Sequence, residues 1–159
     1  MTSTEARQRE QAIDQAVATG DLRGATVLAV DYCAMTETLP EDDARSPRFR
    51  ARYLAAQVDL AAGRLGAALG RVQTLLPRCG RLTPELAARV RLLAAEALAR
   101  LQRPDEARSQ LALVPAEPLD SRPLLRLRVL RVRLWIGDMA LIGEETIEVV
   151  IEDVTGRER

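Results

Sequence analysis

The sequence predicts an all-α fold of three to four antiparallel helical hairpins, arranged as one domain over residues 1–159. A short turn recurs between stretches of helical apolar periodicity, at residues 18–25, 61–68 and 101–107. The alanines that end these turns lie 43 and then 39 residues apart. Repeats of this length are typical of stacked helical arrays. The composition agrees, because 47% of the residues are apolar but only 3% are aromatic, and small side chains suit closely packed helices.

The first hairpin is predicted over residues 4–36. Thr2 and Glu5 fit a capping box at the start of its first helix. Asp21 follows the first turn and can cap the second helix through its side chain. The polar segment from 36 to 46 contains a proline and three consecutive acids, and it is the clearest linker in the chain.

The second and third hairpins are predicted over residues 46–77 and 83–115. Each starts with a hydroxyl residue followed by proline, Ser46 in one case and Thr83 in the other. A cap residue followed by proline at the first helical position is a typical helix start. A loop with two prolines is predicted over residues 115–121.

The fourth hairpin, over residues 121–155, is charged in an unusual way. Its first helix carries five arginines, and the segment 144–154 carries five acids, so the two halves are expected to pair by charge. The apolar residues of 144–154 share one helical face, although its β-branched run also allows a strand. Successive steps of about 100° divide the arginines into two groups on opposite sides of the helix: Arg122, Arg126 and Arg133, and Arg128 with Arg131.

The turns resemble those of tetratricopeptide (TPR) repeats. Residues 102–107, Gln-Arg-Pro-Asp-Glu-Ala, and 20–25, Gly-Asp-Leu-Arg-Gly-Ala, are similar to the Gly-Asp-Tyr-Asp-Glu-Ala turn of that family. The family has a small residue in the middle of each first helix, and Ala56 and Ala95 hold that place in the second and third hairpins. The resemblance implies a right-handed array of antiparallel hairpins. The first and fourth hairpins depart from the pattern, because the equivalent residues are bulky: Ile13 and Leu130.

The resemblance also implies that partners bind on the concave face, which the first helix of each hairpin lines. Carried over by position, this rule selects Arg50, Tyr53, Gln57, Arg89, Glu96, Arg100, Arg131 and Trp135, together with Arg7, Glu10 and Asp14 of the first hairpin. Five arginines, three acids and two aromatic residues would suit an acidic and hydrophobic peptide. An ordinary solvated face is the alternative. The carboxylate clamp found in some members is absent in its usual form, because the chain has neither lysine nor asparagine.

The sequence offers little material for catalysis. It has no histidine, and Cys33 and Cys79 stand alone, so no nucleophile has a histidine base and no soft-ligand metal site exists. The acids at 41–43 lack the spacing of a calcium loop. The segment 63–70 contains three glycines but no lysine, which a phosphate-binding loop requires. No catalytic residue, cofactor or metal is therefore expected. Two of these glycines are expected to let a neighbouring helix approach: Gly66 and Gly70.

Charge and hydropathy limit the remaining classes. The chain has 23 basic and 23 acidic residues, and a net charge of zero argues against a general binder of nucleic acids or anionic membranes. No apolar run approaches the length of a membrane span, and the N-terminus lacks the apolar region of a secretion signal. The bias towards arginine and alanine indicates a bacterial protein. We expect a cytoplasmic location and free thiols.

These observations predict a non-enzymatic interaction module, a TPR-like scaffold, adaptor or regulatory domain. It would bind a partner protein or peptide, acidic by preference, on its concave face. Two alternatives remain. One is a nucleic-acid-associated regulator that uses the arginine-rich helix 122–133. The other is a self-assembly module that forms a homodimer through the C-terminal hairpin.

Overall fold

The computed structural model describes residues 1–40 and 45–137, and this part of the chain consists of helices and the turns between them, without a strand. The all-α prediction is confirmed. The acids at 41–43 and the predicted helix or strand at 144–154 lie outside the described residues. The described elements are α1 (Ser3–Ala18), α2 (Leu22–Thr36), α3 (Pro47–Ala61), α4 (Leu65–Leu75), a 3₁₀ helix (Leu76–Arg81), α5 (Pro84–Arg100), α6 (Pro104–Ala112), α7 (Ala116–Ser121) and α8 (Pro123–Trp135).

The caps of the first two helices follow the sequence prediction. The backbone N–H of Thr2 donates to Oε2 of Glu5 at 2.7 Å, and the N–H of Glu5 donates to Oγ1 of Thr2 at 3.2 Å. This reciprocal pair is the predicted capping box. At the start of α2, the carboxylate of Asp21 accepts a hydrogen bond from the N–H of Gly24 at 2.9 Å.

The starts of α3 and α5 differ from each other although both contain a cap residue followed by proline. Thr83 accepts a hydrogen bond from the N–H of Leu86 at 3.4 Å, as a cap should. Ser46 precedes α3 but does not cap it through its side chain. Its hydroxyl donates instead to the carbonyl of Pro40 at 2.6 Å. This hydrogen bond connects the middle of the linker to the start of α3.

Three turns of the structure share one backbone conformation; we call them the elbow turns, and they join α1 to α2, α3 to α4 and α5 to α6. Each contains a residue with positive φ: Gly20 at 78°, Gly63 at 75° and Gln102 at 60°. The N–H of the next residue donates to a carbonyl five residues earlier at 2.8 to 2.9 Å, the pattern of a Schellman motif. That next residue is also the N-cap of the following helix. The two helices of each pair therefore meet without a spacer.

The alanines that end the elbow turns are completely enclosed. Ala25, Ala68 and Ala107 are each 0% exposed. The N–H of each donates to the carbonyl of the N-cap residue four positions earlier. Ala56 and Ala95, the small residues of α3 and α5 noted above, are also 0% exposed. The recurrence of alanine at these positions is consistent with close packing of the helices, because a larger side chain at a fully enclosed position would have to displace its neighbours.

The core consists of two clusters that meet at α3. The smaller joins α1, α2 and one side of α3, and its largest members are Tyr32 and Ile13. The larger joins α3 to α8. Its centre is α5, where all residues from 92 to 99 are buried and which contacts α3, α4, α6, α7, α8 and the 3₁₀ helix. Helices α3, α4, α6, α7 and α8 are therefore arranged around α5, whereas α1 and α2 pack against α3.

The expected close approach at Gly66 and Gly70 is wrong. Both glycines are exposed, and no atom of a neighbouring helix lies within 4 Å of the place where a Cβ would sit. The face of α4 that packs against the core carries Ala68, Leu69 and Val72 instead. The close approach is made by the alanine of the elbow turn and not by the glycines.

The loop predicted over residues 115–121 is also incorrect. Residues Ala116–Ser121 form the short helix α7. Pro118 lies in the first turn of this helix, where the backbone N–H groups have no intrahelical acceptor, so a proline there removes no hydrogen bond. Pro118 is buried. The prolines at this point of the chain therefore mark a helix start and not only a loop.

Gln102 is the one elbow residue with positive φ that is not a glycine. A left-handed conformation costs a residue with a Cβ roughly 1–2 kcal/mol. Glycine loses about 0.5–1 kcal/mol more entropy on folding, which offsets part of that cost. We expect Gln102→Gly to raise the free energy of unfolding by about 0.5–1 kcal/mol, as measured by urea denaturation. Gly63→Ala should lower it by about 1 kcal/mol. A destabilised Gln102→Gly variant would contradict the role given to this turn.

The enclosure of Ala68 can be tested against its neighbour Ala67, which is exposed on the same helix. We expect Ala68→Leu to lower the free energy of unfolding by about 1–3 kcal/mol, because the larger side chain must displace packed neighbours. Ala67→Leu should change it by less than about 0.5 kcal/mol. Equal effects of the two variants in chemical denaturation would show that α4 does not approach its neighbours through Ala68.

Candidate functional site

Two adjoining cavities open between α1, α3, α5 and α8. The elbow-end cavity has a volume of about 460 Å³ and lies near the C-terminal ends of α1, α3 and α5. The cap-end cavity has a volume of about 480 Å³ and lies towards their N-terminal halves. Asp14, Leu54 and Gln57 line both cavities. The two cavities therefore form one continuous depression, which we call the groove.

Most of the residues selected from the sequence lie in this groove. Trp135 does not line either cavity; it is 42% exposed, and the guanidinium of Arg131 lies 5.4 Å from its ring centroid. Arg7 is exposed and lies outside the groove, whereas Glu10 and Asp14 line it. The other seven selected residues line one or both cavities: Arg50, Tyr53, Gln57, Arg89, Glu96, Arg100 and Arg131.

The elbow-end cavity is built around a buried carboxylate. Glu96 lies on α5 and is 7% exposed. Its Oε2 is 3.5 Å from Nη2 of Arg131 and 3.9 Å from Nη2 of Arg128. These distances are longer than the 2.7–2.9 Å of a strong charged hydrogen bond, so one carboxylate holds two guanidinium groups loosely.

One donor of Arg131, Nε, has no acceptor among the described residues. This atom is buried. Buried N–H groups in proteins are nearly always hydrogen-bonded, and one that is not costs about 1–3 kcal/mol. Arg131 lines the elbow-end cavity with other atoms of its side chain, of which 20% is exposed.

A third arginine completes the elbow-end cavity. Arg100, at the end of α5, donates through Nη1 to the carbonyl of Leu60 at 3.1 Å, close to the C-terminus of α3. The bond links the ends of the two helices and holds Arg100 beside the cavity. The rest of the cavity is largely aliphatic, with side chains of Ile13, Val17, Leu54, Val58, Leu60 and Leu93.

The cap-end cavity contains a second buried carboxylate. Glu10 of α1 is 7% exposed. It accepts a hydrogen bond from the hydroxyl of Tyr32 at 2.9 Å and pairs with Nη2 of Arg50 at 2.7 Å. Burial and the adjacent Glu10 raise the pKa of Tyr32 far above its usual value, so the hydroxyl stays protonated and can donate. The three side chains join α1, α2 and α3 and fix Arg50 at the edge of the groove.

Tyr53 and Gln57 lie at the centre of the groove. Nε2 of Gln57 donates to the hydroxyl oxygen of Tyr53 at 3.1 Å. Burial raises the pKa of Tyr53 although the nearby Arg128 and Arg89 act to lower it, so the phenol remains neutral. Arg89 is held by Glu85, one turn earlier on α5, at 2.8 Å. Tyr53 packs against the large core cluster, and it is less exposed than a free aromatic anchor would be.

The arginines of α8 are divided as predicted but have partners that the sequence did not indicate. Arg128 and Arg131 share one side and both approach Glu96, whereas Arg122 pairs with Glu85 at 3.2 Å. Within the described part of the chain, three of the five arginines are thus paired with carboxylates of α5. Arg128 was not among the residues selected for the groove. Its spacing of three residues from Arg131 places both on one helical face and could have identified it.

Other chemical features are limited within residues 1–40 and 45–137. This part of the chain contains no group of three His, Cys, Asp or Glu residues that could hold a metal ion. Cys33 and Cys79 are free thiols, and burial raises the pKa of both. None of the described helices is both long and apolar enough to cross a lipid bilayer.

No family model, curated protein or solved structure matches the chain. The groove is therefore interpreted from its own residues and their geometry.

The Tyr32–Glu10 hydrogen bond can be tested against the only other tyrosine. Tyr32 is 0% exposed and donates to a buried carboxylate. Hydrogen bonds to charged groups contribute about 1.5–3 kcal/mol, so Tyr32→Phe should lower the free energy of unfolding by about 2 kcal/mol. Tyr53→Phe, which removes a half-buried hydroxyl that bonds to Gln57 and to no buried carboxylate, should cost about 1 kcal/mol. If Tyr32→Phe is as stable as Tyr53→Phe in urea denaturation, the hydrogen bond to Glu10 does not stabilise the contact of α2 with α1 and α3.

Proposed function

We propose that this chain is a non-enzymatic interaction module that binds an extended segment of a partner protein in the groove. A scaffold, an adaptor or a regulatory domain would use such a site. The observation that carries the proposal is the continuity of the groove across α1, α3, α5 and α8. Both cavities meet at Asp14, Leu54 and Gln57, so a peptide can pass from one to the other.

The size and chemistry of the groove support this function. Each cavity falls within the range of about 300–1,000 Å³ that ligand pockets occupy. The aliphatic surface can bury apolar side chains, and the arginines can bind carboxylates and carbonyl groups. The buried carboxylates in the groove, Glu10 and Glu96, are held by arginines and by Tyr32. They serve to position those partners, which supports binding over acid–base catalysis.

We infer further that the helices form a TPR-like, right-handed array of antiparallel hairpins. Three features support this arrangement. The elbow turns are alike in backbone conformation. Their terminal alanines are enclosed to the same degree. The groove is lined by the first helix of each pair, which in that family is the helix that lines the concave face.

The two alternatives have less support. The pairing of Arg122, Arg128 and Arg131 with acids of α5 reduces the positive charge that a nucleic acid could use. Self-association through the last hairpin has one favourable observation, since Leu124 is 77% exposed and Trp135 is 42% exposed. Light scattering at two protein concentrations separates this case from the binding of a different protein.

A large side chain that blocks the groove should prevent the binding of a peptide. Gln57 lines both cavities, and Gln57→Trp would place a large side chain at their junction. Peptides selected from a displayed random dodecamer library against the full chain are the probe. We expect Gln57→Trp to weaken their binding by about tenfold or more, equivalent to 1.4 kcal/mol. Fluorescence polarisation provides the measurement.

The matched control is Gln73→Trp, because Gln73 is exposed on α4, which does not line the groove. It should leave the affinity unchanged. Failure of the selection to yield any binder would contradict the proposal. Equal weakening by both tryptophan variants would also contradict it, because binding would then not depend on the groove.

A further inference from the structure

We propose that the elbow-end cavity binds the side-chain carboxylate of an acidic residue that stands next to an aliphatic residue in the partner segment. Arg131, Arg128 and Arg100 would be the cations that recognise it. This inference rests on the proposed function and names the chemistry of the bound segment.

The charge of the groove supports an anionic ligand. The residues that line the two cavities include five arginines and only three acids: Arg50, Arg89, Arg100, Arg128 and Arg131 against Glu10, Asp14 and Glu96. Glu85 pairs with Arg89 and reduces this excess of two positive charges to one. The whole chain has a net charge of zero. The groove is therefore slightly more positive than the chain as a whole, and an acidic ligand would be attracted to it.

Glu96 only partly neutralises the guanidinium groups beside it. Its Oε2 lies at 3.5 Å from Nη2 of Arg131 and 3.9 Å from Nη2 of Arg128, so a single carboxylate faces two positive charges. Each guanidinium carries five N–H donors in a fixed plane. The Nε of Arg131 is enclosed, so a ligand would have to use the terminal nitrogens of its guanidinium. A second carboxylate in the cavity could accept from these nitrogens of Arg131 and from Arg128.

Arg131 is held in place before any ligand arrives. Its guanidinium lies over the ring of Trp135 at 5.4 Å, a cation–π contact. Oε2 of Glu96 lies 3.5 Å from its Nη2, and only 20% of the Arg131 side chain is exposed. A side chain that is already confined by its neighbours loses less conformational entropy when it binds a ligand, which favours recognition.

The surroundings of these arginines specify a carboxylate beside an aliphatic side chain. Aliphatic residues of α1, α3 and α5 form much of the cavity wall, so a neighbouring leucine, isoleucine or valine of the ligand would be buried. Asp14 and Glu96 line the same cavity. A phosphate, with close to two negative charges, would be repelled by these acids more strongly than a carboxylate with one.

The peptide that binds most tightly in the dodecamer selection tests this inference. It is synthesised in three forms: as selected, with its acidic residue replaced by the matching amide, and with that residue replaced by phosphoserine. We expect an acidic residue next to an aliphatic one in the selected peptides. The amide form should bind the native chain about tenfold more weakly or worse, and the phosphoserine form should not bind more tightly than the acidic form.

Arg131→Lys is the informative variant, because it keeps the charge beside Glu96 but removes Nε and the planar fork. It should bind the acidic and amide forms with nearly equal affinity, while its circular dichroism and thermal unfolding remain close to native. Arg126→Lys is the matched control. Arg126 is exposed on the same helix and lines neither cavity, so this variant should discriminate between the two forms as the native chain does.

Several outcomes would overturn the inference. If the native chain binds the acidic and amide forms equally, the arginines do not recognise a carboxylate. The same conclusion follows if Arg131→Lys discriminates between the two forms as well as the native chain does. Tighter binding of the phosphoserine form shows a phosphate site. Tighter binding of a synthetic peptide of residues 144–154 than of any selected peptide would make the chain itself the occupant. If selected peptides lack acids but still fail to bind Gln57→Trp, the proposed function stands and only the carboxylate inference fails.

Discussion

Close packing around α5 determines where α3, α4, α6, α7 and α8 lie, and α3 in turn carries α1 and α2. Four of the eight buried residues from 92 to 99 are alanine, which lets helices approach from several sides, and the leucines fill the space between them. The fully buried alanines of the elbow turns apply the same principle to each pair of consecutive helices. A protein with so few aromatic residues builds its core from short distances between backbones more than from large side chains, so its stability depends on many small dispersion contacts.

The burial of α5 also explains the chemistry of the groove. Glu96 is the single charged residue in the buried run of α5, and a buried carboxylate requires positive partners. Arg128 and Arg131 of α8 supply them, which brings that helix against the open side of α5. A requirement of the core thus places two guanidinium groups in a cavity. Glu10 acts similarly on Arg50 at the other end. The chemistry of the groove is therefore a consequence of how acids are accommodated in the helices beneath it.

Local features were predicted well from the sequence, because their causes lie within a few residues. The capping box at Thr2, the cap at Asp21 and the turns between consecutive helices all depend on neighbouring backbone atoms. Seven of the eight residues selected for the site line the groove, since a helical face follows from its period of 3.6 residues; their role in binding stays a prediction. Partners across helices were not predicted. Three findings depend on which parts of the chain meet, and a periodic pattern does not contain that information. They are the ion pairs of Glu85 and Glu96 with arginines, the hydrogen bond from the Ser46 hydroxyl to the Pro40 carbonyl, and the exposure of Gly66.

The elbow turns also determine where this chain can vary. In each elbow turn, the residue whose N–H closes the Schellman motif is also the N-cap of the next helix. An insertion within a pair would therefore disrupt the start of the second helix and the packing of its enclosed alanine. The connections between pairs have no such restriction: one is the polar stretch from 37 to 46, and another contains a 3₁₀ helix. The shortening of the repeat from 43 to 39 residues is not confined to the connections. Helix α4 has 11 residues where α2 has 15, and the connection that follows α4 is also shorter than the one that follows α2. A change in the length of the chain should therefore be tolerated better in the connections between pairs than within a pair, where cap, turn and enclosed alanine depend on one another.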